Sequence, residues 1–233
     1  NPARPEAYPY GSANQALLAE IDVASPRLLP FLAVSPRAAL DEQTAALALH
    51  AENRPIFGLK LHPLGNQRSA DALIGSSLAL LAEELELAVL VHTGPDRWSG
   101  WRGAARLASA HPGLRVCLAH AGMFDAEALR WLAAGAPPNI FADLSPFLVR
   151  CAAAQQGWTE QVAACLADLP YADPAACLKI LAEQLPEQLL WGTDAPWVQP
   201  PAETDPALFS YAADLTTLRG LGPELSRRIS RAN

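Results

Sequence analysis

The stretch LAVLVHTG at residues 87–94 is a run of apolar residues that ends in a histidine and a glycine turn. Near-continuous apolar runs of this length are typical of strands covered on both faces in a parallel sheet. RVCLAHAG at 115–122 has the same form, again with a histidine near its end. These two segments predict parallel strands whose carboxyl ends carry histidine.

Four further apolar segments flank this pair, and each ends in polar, Gly or Pro residues. They are LLPFLAVSP at 28–36, IFGLKLHP at 56–63, NIFADLSP at 139–146 and QLLWGTDAP at 188–196. The first five segments begin 28, 31, 28 and 24 residues apart, close to the length of one strand-helix unit. Helix-like stretches, including 71–86 and 100–110, lie between them. A helical insertion is expected at about 147–186, divided into two helices by Pro170 and Pro174.

Repeated strand-helix units build either an open doubly wound sheet or a closed barrel. The sequence contains neither G-x-G-x-x-G nor G-x-x-x-x-G-K-[ST], which disfavours nucleotide-binding folds. Ionisable residues instead stand at several strand ends, where a barrel has its active site. We therefore expect a single α/β barrel domain over residues 1–233, a usual size for such a barrel.

Composition and charge disfavour several other classes of protein. The chain is 51% hydrophobic and 18% charged, as in ordinary globular proteins. Its net charge of −7, without a Lys/Arg cluster, disfavours nucleic acid and anionic membranes as partners. No apolar run reaches the length of a membrane span, so a cytoplasmic location is expected by default. With nucleic acid and membranes disfavoured, a small-molecule substrate is the expected partner. The four cysteines form no Cys-x-x-Cys pair and are expected to be reduced, and a homodimer is compatible with the sequence.

The ionisable residues at the strand ends form a candidate site. In chain order they are Lys60, His62, His92, His120, Asp143 and Asp194. If the strands lie side by side, these side chains converge on one mouth, and His nitrogen with Asp oxygen suits a divalent metal. Such a metal lowers the pKa of a bound water to about 7. The pattern therefore favours metal-assisted hydrolysis.

The motifs, taken in order, resemble the amidohydrolase superfamily, in the branch that contains aminocarboxymuconate semialdehyde decarboxylase. The resemblance is carried by GLKLHP at 58–63, VHTG at 91–94, HPGLRVCLAHAG at 111–122, NIFADLS at 139–145 and WGTDAP at 191–196. It implies a metal-dependent (β/α)8 TIM barrel in which His92 and Asp194 bind one divalent metal ion, with zinc the expected metal. It also implies that Asp194 is the general base and that His120 orients the attacking water or acts as an acid/base.

The resemblance departs from the family pattern at the start of the chain. The family's first strand carries a His-x-His pair that supplies two metal ligands, and this sequence contains no His-x-His. The motif match makes the six segments strands 3 to 8. Strands 1 and 2, with the two further ligands, are therefore expected before Asn1, and ISRAN at 229–233 is expected to fall shortly before the end of the final helix.

The three residues assigned to catalysis and metal binding each have a structural alternative. His92 could be a core histidine that donates to a backbone carbonyl, and Asp194 could cap the segment that follows it. His120 could form a hydrogen bond across the barrel interior.

Four further residues are assigned to substrate binding: Lys60, His62, Asp143 and Trp197. Lys60 and His62 share one strand face and suit an anionic substrate group. The alternative for Lys60, implied by binuclear members of the superfamily, is a carboxylated lysine that bridges two metals. Asp143 either contacts substrate or closes its strand. Trp197 lies in the loop after the last strand and could line an apolar pocket.

The leading hypothesis is a hydrolase that uses a metal-activated water on a small carboxylate, lactone or amide. A non-oxidative decarboxylase could use the same residues, and the motifs do not separate the two activities. Without a metal, the chain would instead be a binding or structural barrel.

Overall fold

The computed structural model describes residues 10–24, 28–156, 166–194 and 211–231. Its strands are β1 (Phe31–Val34), β2 (Gly58–Leu61), β3 (Ala88–Val91), β4 (Arg115–Leu118), β5 (Ile140–Asp143) and β6 (Leu189–Leu190). Its α-helices are α1 (Tyr10–Ala24), α2 (Leu40–Asn53), α3 (Pro63–Asn66), α4 (Ser77–Glu84), α5 (Trp101–Ala110), α6 (Ala126–Ala133), α7 (Phe147–Gln156), α8 (Pro174–Gln184), α9 (Tyr211–Gly220) and α10 (Pro223–Arg231). All six predicted strands are confirmed.

The chain divides into two compact units, residues 1–118 and 119–233. In the first unit, β1 to β4 form a parallel sheet in chain order, with Phe31 opposite Gly58 and Ala88 opposite Arg115. Helix α2 packs against α4, and α5 packs on β4. Fully buried leucines, among them Leu59 and Leu107, fill the space between sheet and helices. The carboxyl ends of β1 to β4 therefore share one edge of this sheet.

In the second unit, β5 and β6 pair in parallel, with Asp143 opposite Leu190. The core of this unit includes a cluster of aromatic side chains. Phe147 is fully buried and packs against Phe124 and Trp191, with both pairs of ring centroids 6.2 Å apart. Because Phe147 begins α7 and Trp191 follows β6, these contacts tie the helical insertion to the last strand.

The helices predicted from the sequence are found in the structure, except at 71–86. The predicted helix at 100–110 is confirmed as α5, and the insertion contains α7 and α8, with Pro174 at the first turn of α8. The single helix predicted at 71–86 is wrong. A 3-10 turn at Ala70–Leu73 and helix α4 are separated at Gly75, which has a left-handed φ of 71° and donates its N–H to His111 Nε2 at 3.1 Å.

None of the helices in the described ranges is long and apolar enough to cross a membrane. Cys117, Cys151 and Cys177 are buried free thiols, as predicted. Cys165 lies outside the described residues.

Candidate active site

The first unit carries Lys60, His62 and His92 at adjacent strand ends. Lys60 lies in β2, His62 follows β2 directly and His92 follows β3. The His92 N–H donates to the Leu61 carbonyl at 2.9 Å, which continues the pairing of the two strands. As a result the imidazole rings of His62 and His92 stack, with centroids 4.2 Å apart and an angle of 9° between the ring planes.

His62 has a defined hydrogen-bonding role. It caps α3, because its Nδ1 accepts the Gly65 N–H at 3.1 Å. An accepting Nδ1 requires that the proton of the neutral ring be on Nε2. Burial, followed by the nearby charge of Lys60, lowers the pKa of His62 below its ordinary 6.5, so the ring is neutral at pH 7. His62 therefore presents an Nε2–H donor, which suits a carboxylate or carbonyl oxygen.

Asp96 is a charged residue beside His92 that sequence reasoning missed. Its Oδ1 accepts the backbone N–H groups of Trp98 and Ser99 at 2.9 and 3.1 Å. A Cβ placed on Gly94 would lie 3.2 Å from Asp96 Oδ2 and 3.6 Å from His92 Nε2, so both atoms border the same space. The only sequence signal was a Gly-Pro-Asp turn, which is ordinary loop chemistry.

In the second unit, His120 lies in a left-handed turn. Its φ is 64°, and the next four residues through Phe124 also have positive φ. A left-handed conformation costs a non-glycine residue about 1–2 kcal/mol. His120 is 2% exposed, and its Nδ1 lies 2.5 Å from the Ser145 carbonyl oxygen. Strained backbone of this kind is found most often at functional sites.

Asp143 is the last residue of β5 and is buried. Its Oδ1 accepts two hydrogen bonds from Ser145, one from the backbone N–H at 2.8 Å and one from the hydroxyl. A Cβ placed on Gly192 would lie 3.1 Å from Ser145 Cβ and 3.2 Å from Asp143 Oδ1. The chain that follows β6 therefore lies directly against this pair, and only glycine fits there without a shift.

Asp194 follows β6 and also has a left-handed φ, of 52°. Arg150 of α7, in the same unit, is a cation that interacts with Asp194 and Asp143, and sequence reasoning missed it. Its Nε is buried. Burial lowers the pKa of the Arg150 guanidinium, while the charges of Asp194 and then Asp143 act in the opposite direction. The helical insertion thus brings a positive charge to both predicted carboxylates.

Two of the predicted site residues have side chains of the kinds that bind zinc. His92 provides an imidazole and Asp194 a carboxylate, the ligand types that zinc takes in catalytic sites. Within residues 10–24, 28–156, 166–194 and 211–231, no group of three or more His, Cys, Asp or Glu side chains is arranged to hold a metal ion. Trp197, which the sequence assigns to substrate binding, lies outside these ranges.

The sequence also matches a known family over most of its length. The family model for Amidohydrolase matches residues 7–233. This chain belongs to the amidohydrolase family. No curated protein matches it significantly in sequence.

Three solved structures show what this amidohydrolase-family chain is similar to. The 5-carboxyvanillate decarboxylase of Sphingomonas paucimobilis has a TM-score of 0.62 at 16% identity, over 96% of this chain and 70% of that one. A probable 2-pyrone-4,6-dicarboxylic acid hydrolase of Acinetobacter baumannii has a TM-score of 0.58 at 17% identity, over 93% and 74% of the two chains. An amidohydrolase of Burkholderia multivorans with bound zinc has a TM-score of 0.57 at 19% identity, over 94% and 76%. These likenesses confirm the predicted α/β barrel class.

Proposed function

We propose that this chain is a metal-dependent hydrolase that acts on a small carboxylate, lactone or amide, with water as the nucleophile. The observation that carries the proposal is the position of the ionisable side chains within a fold of the amidohydrolase family. Each of Lys60, His62, His92, His120, Asp143 and Asp194 lies in the last residues of a strand or in the segment that follows it. That is where enzymes of barrel fold have their catalytic groups.

We assign His92 and Asp194 as ligands of a divalent metal, with zinc the expected ion. The bound zinc of the Burkholderia multivorans neighbour supports this choice of metal. When bound, such a metal lowers the pKa of a water to about 7 and polarises a substrate carbonyl.

The protein's own residues would then divide the work. Asp194 accepts the proton of the attacking water, and His120 orients that water or the substrate carbonyl. Lys60 and the Nε2–H of His62 bind an anionic group of the substrate. Arg150 offsets the negative charge of the two carboxylates beside it, which carboxylates in a partly buried site require.

A non-oxidative decarboxylase is the second candidate, because one of the three structural neighbours is a decarboxylase. It would bind a substrate carboxylate so that carbon dioxide leaves. A screen of lactones, amides and aromatic carboxylates in ¹⁸O-labelled water, with detection of carbon dioxide, separates the two. A hydrolase incorporates one labelled oxygen into its organic product. A decarboxylase releases carbon dioxide and incorporates no labelled oxygen into its organic product.

The metal assignment is tested by the metal content of the purified full-length protein and of His92→Ala and Asp194→Ala. We expect each variant to lose most of the bound zinc while its circular dichroism is unchanged, because each lacks one ligand. His50→Ala is the matched control, since His50 lies near the end of α2 and has no part in the proposed site. If both variants keep the metal content of the wild type, the assignment is wrong; if the wild type binds no metal, the binding or structural barrel is favoured.

A further inference from the structure

A chain of buried hydrogen bonds connects Asp143 to His120 through Ser145. Asp143 Oδ1 accepts the N–H and the hydroxyl of Ser145, and the Ser145 carbonyl accepts from Nδ1 of His120 at 2.5 Å. The three residues are 7%, 5% and 2% exposed, so water has little access to these bonds. Buried polar groups joined in this way hold one arrangement, because breaking any bond leaves a buried group without its partner.

The chemistry of the last bond determines where the proton of His120 is. A carbonyl oxygen can only accept, so Nδ1 must be the donor. In the neutral ring Nε2 then carries the lone pair. Free histidine in water prefers the opposite arrangement, with the proton on Nε2. The protein therefore holds His120 in the form that is less populated in solution.

The orientation of the Ser145 carbonyl depends on Asp143. The bond from Ser145 N–H back to the Asp143 side chain, two residues earlier, closes an Asx turn. The turn cannot easily move aside. The Leu144 N–H is paired with the Leu190 carbonyl at 3.1 Å, and the backbone at Gly192 lies against both Asp143 and Ser145. The carbonyl that accepts the hydrogen bond from His120 is thus held from two sides.

We propose that Asp143 and Ser145 are positioning residues that hold His120 as its Nδ1–H tautomer, so that Nε2 is the nitrogen that exchanges hydrogen bonds or protons in the reaction. The catalytic use of Nε2 rests on the proposed function, whereas the tautomer does not. Asp143 thereby has a task that the sequence does not indicate, because Asp143 acts through the Ser145 carbonyl, and that carbonyl is hydrogen-bonded to a histidine 25 positions from Ser145.

The tautomer is measured directly by long-range ¹H–¹⁵N NMR of ¹⁵N-histidine-labelled full-length protein, with the His120 signals identified as those missing from His120→Ala. In the wild type we expect the pattern of protonated Nδ1 and unprotonated Nε2. Asp143→Ala is expected to change it to the Nε2–H pattern or to an average of the two. Asp143→Asn keeps an oxygen that accepts the Ser145 N–H, and is expected to restore most of the wild-type pattern.

Asp173→Ala is the matched control, because Asp173 also accepts a backbone N–H, that of Ala176, but is exposed at the start of α8. It is expected to leave the His120 signals unchanged. A wild type with protonated Nε2, or an Asp143→Ala variant that keeps the Nδ1–H pattern, would overturn the proposal. Circular dichroism shows which variants are folded; if Asp143→Ala is not, the wild-type pattern remains the test of the tautomer.

Turnover provides a second and separate readout. Loss of a group that orients a catalytic histidine typically lowers activity about 10–100-fold. We expect Asp143→Ala to show a decrease of this size in kcat with KM changed less than about 3-fold, and Asp143→Asn to regain most of it. An equal loss in both variants contradicts the positioning role. If no substrate is hydrolysed at all but the NMR result holds, the proposed function fails and the positioning of His120 stands.

Discussion

Asp214 of α9 is a buried carboxyl, 3% exposed, that accepts the Leu148 N–H at 3.2 Å. Burial raises its pKa from 3.8 to about 6, although the Leu148 hydrogen bond acts in the opposite direction. A raised pKa in the folded state means that folding favours the protonated form. The stability that Asp214 contributes is therefore fully present below about pH 4 and is lost as the pH rises through about 6.

Asp214→Asn is neutral at every pH and keeps an oxygen for the Leu148 N–H. We expect the difference in melting temperature, variant minus wild type, to rise between pH 4 and pH 7, measured by circular dichroism in constant salt. Asp173→Asn, an exposed cap, is the control and is expected to show no such rise. A pH-independent difference for Asp214→Asn would mean that the pKa of this carboxyl is the same in the folded and unfolded states.

At the scale of single residues, sequence reasoning identified side chains that end strands and missed those that reach the site through tertiary contacts. His120 and Asp194 could be read from their position after apolar runs. Arg150 could not, because its effect depends on how α7 packs, through Phe147, against the segment after β6. The pairing of the His62 and His92 rings required the register of two strands 30 residues apart in sequence, which no local pattern specifies.

At the scale of elements, the parallel sheet of the first unit contains one position where only glycine fits. A Cβ on Gly58 of β2 would lie 2.4 Å from the Ala88 carbonyl oxygen and 2.4 Å from the Phe31 ring. Since one of these atoms is backbone, the sheet itself would have to move. We expect Gly58→Ala to lower the free energy of unfolding by about 1–3 kcal/mol, as other overpacked cores do.

Urea denaturation measures this change. Gly11→Ala is the matched control, because nothing lies within 4 Å of its added methyl group in α1. Its free energy of unfolding is expected to stay within about 0.5 kcal/mol of the wild type or to increase slightly, since alanine favours helix. Equal effects at the two positions would show that the approach of β2 to Phe31 and β3 is looser than these distances indicate.

Element types were predictable where one local pattern decides them and not where a distant residue does. Each strand is a run of apolar residues with a polar end, and all six were found, although the regular part is shorter than the apolar segment. The stretch 71–86 has helical spacing throughout. It is interrupted because the Gly75 N–H donates to His111, which is itself held by a hydrogen bond between its Nδ1 and Glu83 at 3.0 Å. His111 follows α5, an element that periodicity treats separately from 71–86.

At the scale of the whole molecule, five short motifs in order were sufficient to indicate the family, and the match over residues 7–233 confirms it. The structural neighbours include a probable hydrolase and a decarboxylase, so the fold specifies the scaffold more closely than the reaction. Under the proposed function, the reaction depends on which substrate group meets Lys60 and His62.

If His92 and Asp194 bind a metal only in the folded state, zinc must stabilise the full-length protein through mass action. The expected increase in the free energy of unfolding is about 2.7 kcal/mol at a free zinc concentration 100 times the dissociation constant. We therefore expect the melting temperature of metal-depleted protein to rise with added zinc and to fall again with a chelator, by differential scanning calorimetry. His92→Ala and Asp194→Ala should show little of this rise, whereas His50→Ala should show all of it. A rise of the same size in the wild type and all three variants would show that zinc binds elsewhere. In that case the loss of His92 or Asp194 would not have weakened zinc binding.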